Sequence, residues 1–268
     1  MSVTTGKPLA RLAVPTAFPW PTMLRYLQPR RITAFERVDE TGYERRVGDA
    51  TVRASLSRDG RHLELRADGV LDIDDAQCRV AQLFALNEDP RPGQAHFANC
   101  PVLAPRIAHL PGLRPLGSWD AFELCVRTVL GQQVTVAAAG TLMQRLIDRA
   151  GVVTPQAVLA ADLSNMGMPG KRVQTLRELA QAIVDRRLSL DAPWAELSAA
   201  LQKLPGFGPW TRSYLAIRLG REPDAFPESD VGLMRAAGID TPKALLARAE
   251  AWRPYRSLAA THLWVGTI

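Results

Sequence analysis

The spacing of apolar residues changes once along this chain, near residue 117, and that change limits what it can fold into. Before it, ITAFERV (32–38), TVRASLS (51–57) and HLELRA (62–67) are short strand-like stretches. The last two flank Arg58-Asp59-Gly60-Arg61, and an Asp-Gly pair between such runs marks a β-hairpin. DDAQCRVAQLFAL (74–86) then places Val80, Leu83 and Phe84 on one helical face. Residues 1–100 therefore read as an α+β domain, an antiparallel sheet with helices. A Pro/Gly-rich stretch containing DPRPG and LPGLRPLG runs on from Pro90, and residues 101–117 read as a connector. From Ser118 nearly every segment has helical spacing: WDAFELCVRTVLG, capped by Ser118 or Asp120, then VTVAAAGTLMQRLIDRAG, KRVQTLRELAQAIVDRR and PWAELSAALQKL. Residues 118–268 form a compact helical region, so the expected class is mainly α with an N-terminal α+β domain.

Inside the helical region, residues 204–220 read LPGFGPWTRSYLAIRLG. Two glycines around one apolar residue leave the backbone bare on the side where a side chain would stand. A bare backbone that opens a helix presents N–H groups to an anion, and the helix dipole favours negative charge there. A tight turn between two packed helices satisfies the same sequence. Leu110-Pro111-Gly112 repeats the tripeptide but runs into Leu113-Arg114-Pro115, with neither a second glycine nor a helix after it. Only 204–208 lies between two helical patterns.

The net charge of +6 suits a nucleic-acid partner, and just four of the 33 cationic residues are lysine (Lys7, Lys171, Lys203, Lys243). Three scattered cysteines, Cys78, Cys100 and Cys125, fit neither a disulfide framework nor a zinc motif and suggest a reducing, cytoplasmic compartment. His62, His96, His109 and His262 lack metal-ligand spacing. The opening MSVTTGKPLARLAVPTAFPWP is interrupted by Pro8, Pro15, Pro19 and Pro21, which argues against a signal peptide, and no segment is long and apolar enough to span a membrane.

Beyond the glycines come LAIRLGREPDAFPESDVGLMRAAG and its acids Asp224, Glu228 and Asp230. Ser229 or Asp230 is placed to cap the next helix. A carboxylate held there, facing a cleft, can also stabilise an oxocarbenium ion or orient a water. Aromatics are 6% of the chain, so their positions matter. Trp210 and Tyr214 lie one helical turn apart; Trp252, Tyr255 and Trp264 lie near the C-terminus, and Phe18, Trp20 and Tyr26 near the N-terminus. They fill a core or line a cleft in which a flipped base stacks.

The ordered blocks WDAFELCVRTVLGQQVTVAAA (119–139), GMPGKRVQTLRELA (167–180), LPGFGPWTRSY (204–214), FPESDVGLMR (226–235) and WRPYRSLAATHLW (252–264) resemble the helix-hairpin-helix, Gly/Pro-Asp superfamily of DNA glycosylases. The nearest branch is 3-methyladenine DNA glycosylase II (AlkA). The resemblance covers most of the chain and implies that fold, with the hairpin at about 196–219 and the catalytic loop at about 221–230. It implies that Asp230, preceded by Ser229, is catalytic and that Trp210, Tyr214, Trp264 and Tyr26 line the base pocket. Gly206, Gly208, the backbone around Thr211 and Arg212 would contact DNA. Gln133 takes the position that fills the gap left by a flipped base, where relatives often carry leucine. Main-chain carbonyls of Gln202, Leu204 and Phe207 would hold a structural Na⁺ or K⁺, with no other cofactor required.

Members of the superfamily that also cut the strand carry a lysine just after the hairpin glycines. Here Gly208-Pro209-Trp210 stands there, and the cysteine quartet of the iron–sulfur members is absent. The resemblance thus implies a monofunctional glycosylase, a monomer acting on alkylated purines in double-stranded DNA with no membrane partner. A non-catalytic hairpin DNA-binding protein and a glycosylase for oxidised or deaminated bases are the alternatives.

Overall fold

In this computed structural model, residues 8–266 are described. Residues 1–7, where the stretch read for a signal peptide begins, lie outside them. Among the described residues one antiparallel sheet forms, in the order β1-β5-β4-β3-β2. Its strands are β1 (Ala10–Ala13), β2 (Glu36–Asp39), β3 (Gly42–Val47), β4 (Ala50–Leu56) and β5 (His62–Asp68). The Asp59-Gly60 hairpin sets Leu56 opposite Leu63 and Ala54 opposite Leu65. Ala50, Val52, Ala54, Leu63 and Leu65 are buried, the two-residue period of a sheet covered on one face. Helices α1 (Trp20–Leu27) and α2 (Ile73–Leu83) lend Met23, Leu24 and Val80 to the same core.

Two stretches differ from the sequence reading. The strand expected over 32–38 begins only at Glu36, because Ile32 turns the chain: its carbonyl accepts from the N–H groups of both Phe35 (2.8 Å) and Glu36 (2.7 Å). The connector is also not bare loop, for α3 (Arg91–His96) and α4 (Ala104–His109) interrupt the Pro/Gly-rich stretch. Pro92 and Pro105 fall in the first turns of these helices, where the missing N–H has no partner to lose.

The remaining helices are α5 (Ala121–Leu130), α6 (Val136–Ala150), α7 (Pro155–Ala160), α8 (Gly170–Val184), α9 (Trp194–Gln202), α10 (Pro209–Arg218), α11 (Val231–Ala237), α12 (Pro242–Ala249) and α13 (Arg256–Val265). Asp120, not Ser118, caps α5 by accepting from the Glu123 N–H at 2.9 Å. Side chains of Thr135, Thr154, Asp230 and Thr241 cap α6, α7, α11 and α12 in the same way.

The helices build two further cores, and α10 serves both. Leu215 and Leu219 pack with Leu130, Leu146, Leu176 and Leu201, while Ile217 packs with Phe97, Phe226, Leu245 and Trp252. Trp264 lies partly buried between that second helical core and the sheet core. A cleft of about 1360 Å³ opens where these bodies meet.

Candidate active site

The cleft is entered beside the turn between α9 and α10. Gly206 has φ +81° and Gly208 caps α10 with extended backbone and no side chain. Among the described residues nothing accepts from the N–H groups of Gly208, Trp210 and Thr211, and a Cβ on Gly208 would meet nothing within 4 Å. The helix thus opens with bare donors at its positive end.

Gln132 fastens this turn to the loop after α5. Its Nε2 donates to the Gly206 carbonyl (2.7 Å) and to Thr211 Oγ1 (3.1 Å), and Arg172 on α8 donates to its carbonyl at 2.6 Å. The next residue, Gln133, is exposed on the cleft rim with φ +57°. Sequence reasoning missed Gln132, which looks like any polar residue after a helix.

Asp230 sits at the junction of three helices. As the cap of α11, its Oδ1 accepts from the Leu233 N–H (2.9 Å) and from Trp264 Nε1 (3.1 Å), while Oδ2 accepts from Trp210 Nε1 (3.0 Å). The capping and cleft-facing roles considered for this residue are compatible in one geometry. The loop before it is pinned to α13: Arg256 donates to both oxygens of Asp224 (2.8 and 2.9 Å), Arg253 also pairs with Asp224, and Ser257 Oγ donates to the Glu222 and Ala225 carbonyls. Because α13 also carries Trp264, loop and tryptophan are set by one element.

The aromatic residues gather in the same place. Trp210 stacks on Tyr214 with centroids 5.4 Å apart and planes 11° from parallel, and Trp264 meets Tyr214 edge-on at 5.7 Å. Tyr26 reaches the cleft wall from α1 but is buried, with Arg30 packed 4.0 Å over its ring. Arg212, expected at DNA, instead turns back on α9, donating to Ser198 Oγ (3.3 Å) and Gln202 Oε1 (3.2 Å). Of the residues expected in the base pocket or at DNA, Arg212 is the one that does not line the cleft. The Gln202, Leu204 and Phe207 main-chain oxygens accept no hydrogen bond from described residues, which fits three donors for a monovalent cation.

Below the aromatics lies a cationic floor that the sequence reading did not anticipate. Arg218 donates to the Leu116 and Gly117 carbonyls (both 2.6 Å) and to the Tyr214 hydroxyl (2.9 Å). Burial pushes the Tyr214 phenol up, but Arg218, Arg30 and Arg127 outweigh it and hold the phenol below its usual value. Arg218 follows Trp210 and Tyr214 at four-residue steps, and an arginine on an aromatic face is a signal that sequence offers.

Residues 9–120 match the AlkA N-terminal domain, and 126–244 match the HhH-GPD superfamily base excision DNA repair protein model. The chain is 32% identical to DNA-3-methyladenine glycosylase 2 of Escherichia coli over 271 residues, which are 92% of this chain and 93% of that protein. The chain belongs to the HhH-GPD superfamily, AlkA branch. It is also 31% identical, over 98% of its length, to the probable bifunctional transcriptional activator/DNA repair enzyme AlkA of Mycobacterium tuberculosis H37Rv, and spans 58% of that longer protein. A 3-methyladenine DNA-glycosylase from Archaeoglobus fulgidus shares the fold at 17% identity, with a TM-score of 0.81 over 96% of this chain and 98% of that one. Both matched regions of this AlkA-branch chain contribute to the cleft, Tyr26 and Arg30 from the first and Asp230 from the second.

Proposed function

We propose that this chain hydrolyses the N-glycosidic bond of alkylated purines in duplex DNA, of the 3-methyladenine and 7-methylguanine type, and leaves the strand uncut. The observation that carries the reading is the Asp230 carboxylate, held by two indole N–H groups at the mouth of an aromatic cleft. The names of the AlkA-branch relatives point the same way.

The geometry performs the chemistry in order. The bare N–H groups of the hairpin take a phosphate, and Gln133 fills the gap in the stack when a nucleotide swings out. The base stacks against Trp210, Tyr214 and Trp264, whose electron-rich faces attract a methylated, positively charged purine by about 0.5–2 kcal/mol. The C1′–N bond then breaks with both electrons passing to the base, so a cationic purine departs neutral and needs no general acid. Asp230 faces the cation that develops on the sugar and orients the water whose oxygen bonds to C1′, the water's proton passing to solvent. No organic cofactor or catalytic metal enters these steps. A Na⁺ or K⁺ on Gln202, Leu204 and Phe207 would add positive charge beside the phosphate. One chain supplies every group named, which suits a monomer.

Strand cleavage would need an amine that attacks C1′. Trp210 stands where the superfamily resemblance puts that lysine, and no described lysine lines the cleft. Methylated duplex incubated with the enzyme should lose bases while its strands stay whole until alkali or heat is applied. A covalent adduct trapped by borohydride would contradict the monofunctional reading.

A further inference from the structure

Five arginines line the cleft, and the three that act on Tyr214 (Arg218, Arg30 and Arg127) differ in what they hold. Arg218 is saturated by two carbonyls and two tyrosine hydroxyls. Arg30 lies over Tyr26 and donates to the Tyr26 carbonyl at 3.0 Å. Arg127 also lines the cleft, yet among the described residues its guanidinium has no hydrogen-bond or ion-pair partner. Its side chain is half-buried in packed surroundings. It occupies α5, where Phe122–Val126 and Thr128–Leu130 are all buried, and it lies within electrostatic reach of Tyr214, Glu36, Arg218 and Arg30. Glu36 is committed elsewhere, accepting from the Tyr43 hydroxyl at 2.7 Å and pairing with Arg45 at 3.4 Å. Burial accordingly pushes the Arg127 guanidinium below its usual value. A partly buried fork of donors without an acceptor is a site waiting for one.

We infer that Arg127 reads the edge of the flipped purine and selects bases that carry a carbonyl oxygen at C6. The inference rests on the glycosylase reading and narrows its substrate class. The aromatic faces respond to the charge of a base and not to its edge pattern. A guanidinium does distinguish edges, because it donates to the O6 of N7-methylguanine, whose N7 carries the methyl group and accepts nothing, and opposes the N6 amine of an adenine-type base. N7-methylguanine and N3-methyladenine carry the same formal charge, so repulsion from the arginines of the cleft is common to both and only the edge differs. As the C1′–N bond breaks, the electron pair moving onto the base enriches O6, and the bond to Arg127 strengthens as the reaction proceeds. Arg127 therefore contributes to release of the carbonyl-bearing base as well as to its binding.

The test is the ratio of N7-methylguanine to N3-methyladenine released from one preparation of dimethyl-sulfate-treated duplex, by wild type, Arg127→Met and Arg127→Gln, with thermal melting as the check on folding. Arg127→Met should lower release of N7-methylguanine by about 10- to 100-fold while N3-methyladenine changes by less than about 3-fold. Arg127→Gln should shift the ratio further toward N3-methyladenine, because a carboxamide can accept from the N6 amine. An unchanged ratio in a folded variant, whether both rates fall together or both persist, overturns the assignment. If Arg127→Met does not fold, the ratio for Arg127→Gln decides alone. Failure of the wild type to release either base would instead overturn the glycosylase reading.

Discussion

Leu110-Pro111-Gly112 and Leu204-Pro205-Gly206 are the same tripeptide, and each glycine adopts a left-handed backbone, with φ +79° and +81°. Their surroundings are opposite. A Cβ on Gly112 would lie 1.7 Å from the Ala17 carbonyl oxygen, so that turn is closed against another part of the backbone, and Leu113 after it is buried in the sheet core. The three atoms nearest a Cβ on Gly206 all belong to the Thr175 side chain, at 2.7 Å and beyond, and Gly206 and Gly208 are exposed. One turn joins the N-terminal segment to the body of the protein, and the other presents backbone to the outside. The tripeptide fixes a bend in the chain, and the residues after it decide whether the bend is packed away or offered to a ligand. Phe207 and Gly208 lead into a helix with orphan N–H groups, whereas Arg114 is drawn inward and donates back to the Gly112 carbonyl at 3.1 Å.

Substitutions at the three glycines should break this pair apart. Gly112→Ala has the largest expected effect on stability, at least about 3 kcal/mol, because a left-handed backbone and a collision with main chain act together. Thermal melting should show a drop of about 10 °C in a chain of this size, and an unchanged melting temperature would mean that the turn is not closed. Gly206→Ala carries the same backbone cost but presses only on a side chain, so a loss of about 1–2 kcal/mol is expected. Gly208→Val should change stability least, by less than about 0.5 kcal/mol, since its backbone is extended and its space is open. Its effect should appear in DNA binding, weakened by a similar factor for every sequence, as loss of a phosphate contact requires. Wild-type affinity in Gly208→Val would remove the distinction between the two turns.

The helical half of the fold was legible because its cues are local. Asp120, Thr135 and Asp230 precede stretches of helical spacing and do cap helices. The N-terminal half was less so. Pro21, Pro92 and Pro105 look like helix breakers, yet each lies in the first turn of a helix, where proline is tolerated. Strand β1 is invisible locally because its partner, β5, lies some fifty residues away. At the site, the sequence identified residues that announce themselves by type, such as Asp230 and Trp210. It could not identify those defined by what they lack or whom they hold. Arg127 is remarkable only for an absent partner, Gln132 only for a clasp on Gly206 and Thr211, and Arg212 only for facing α9.

Asp230 bears the central claim, and its hydrogen bonds dictate how it must be tested. Asn is as good a helix cap as Asp, and its amide oxygen can keep the Leu233 and Trp264 bonds. Its NH₂ group, however, would then confront the Trp210 N–H, two donors face to face where Oδ2 now accepts at 3.0 Å. Asp230→Asn alone would therefore mix lost charge with a broken positioning contact. Trp210→Phe removes that donor, so the decisive measurement is the rate of base release from methylated duplex by Trp210→Phe against Trp210→Phe/Asp230→Asn. The account predicts matching melting temperatures and DNA affinities, with release slower in the double variant by about 10²- to 10³-fold. Release by the double variant within a few-fold of the single one would show that Asp230 is a cap and a tryptophan holder, and not the catalytic carboxylate.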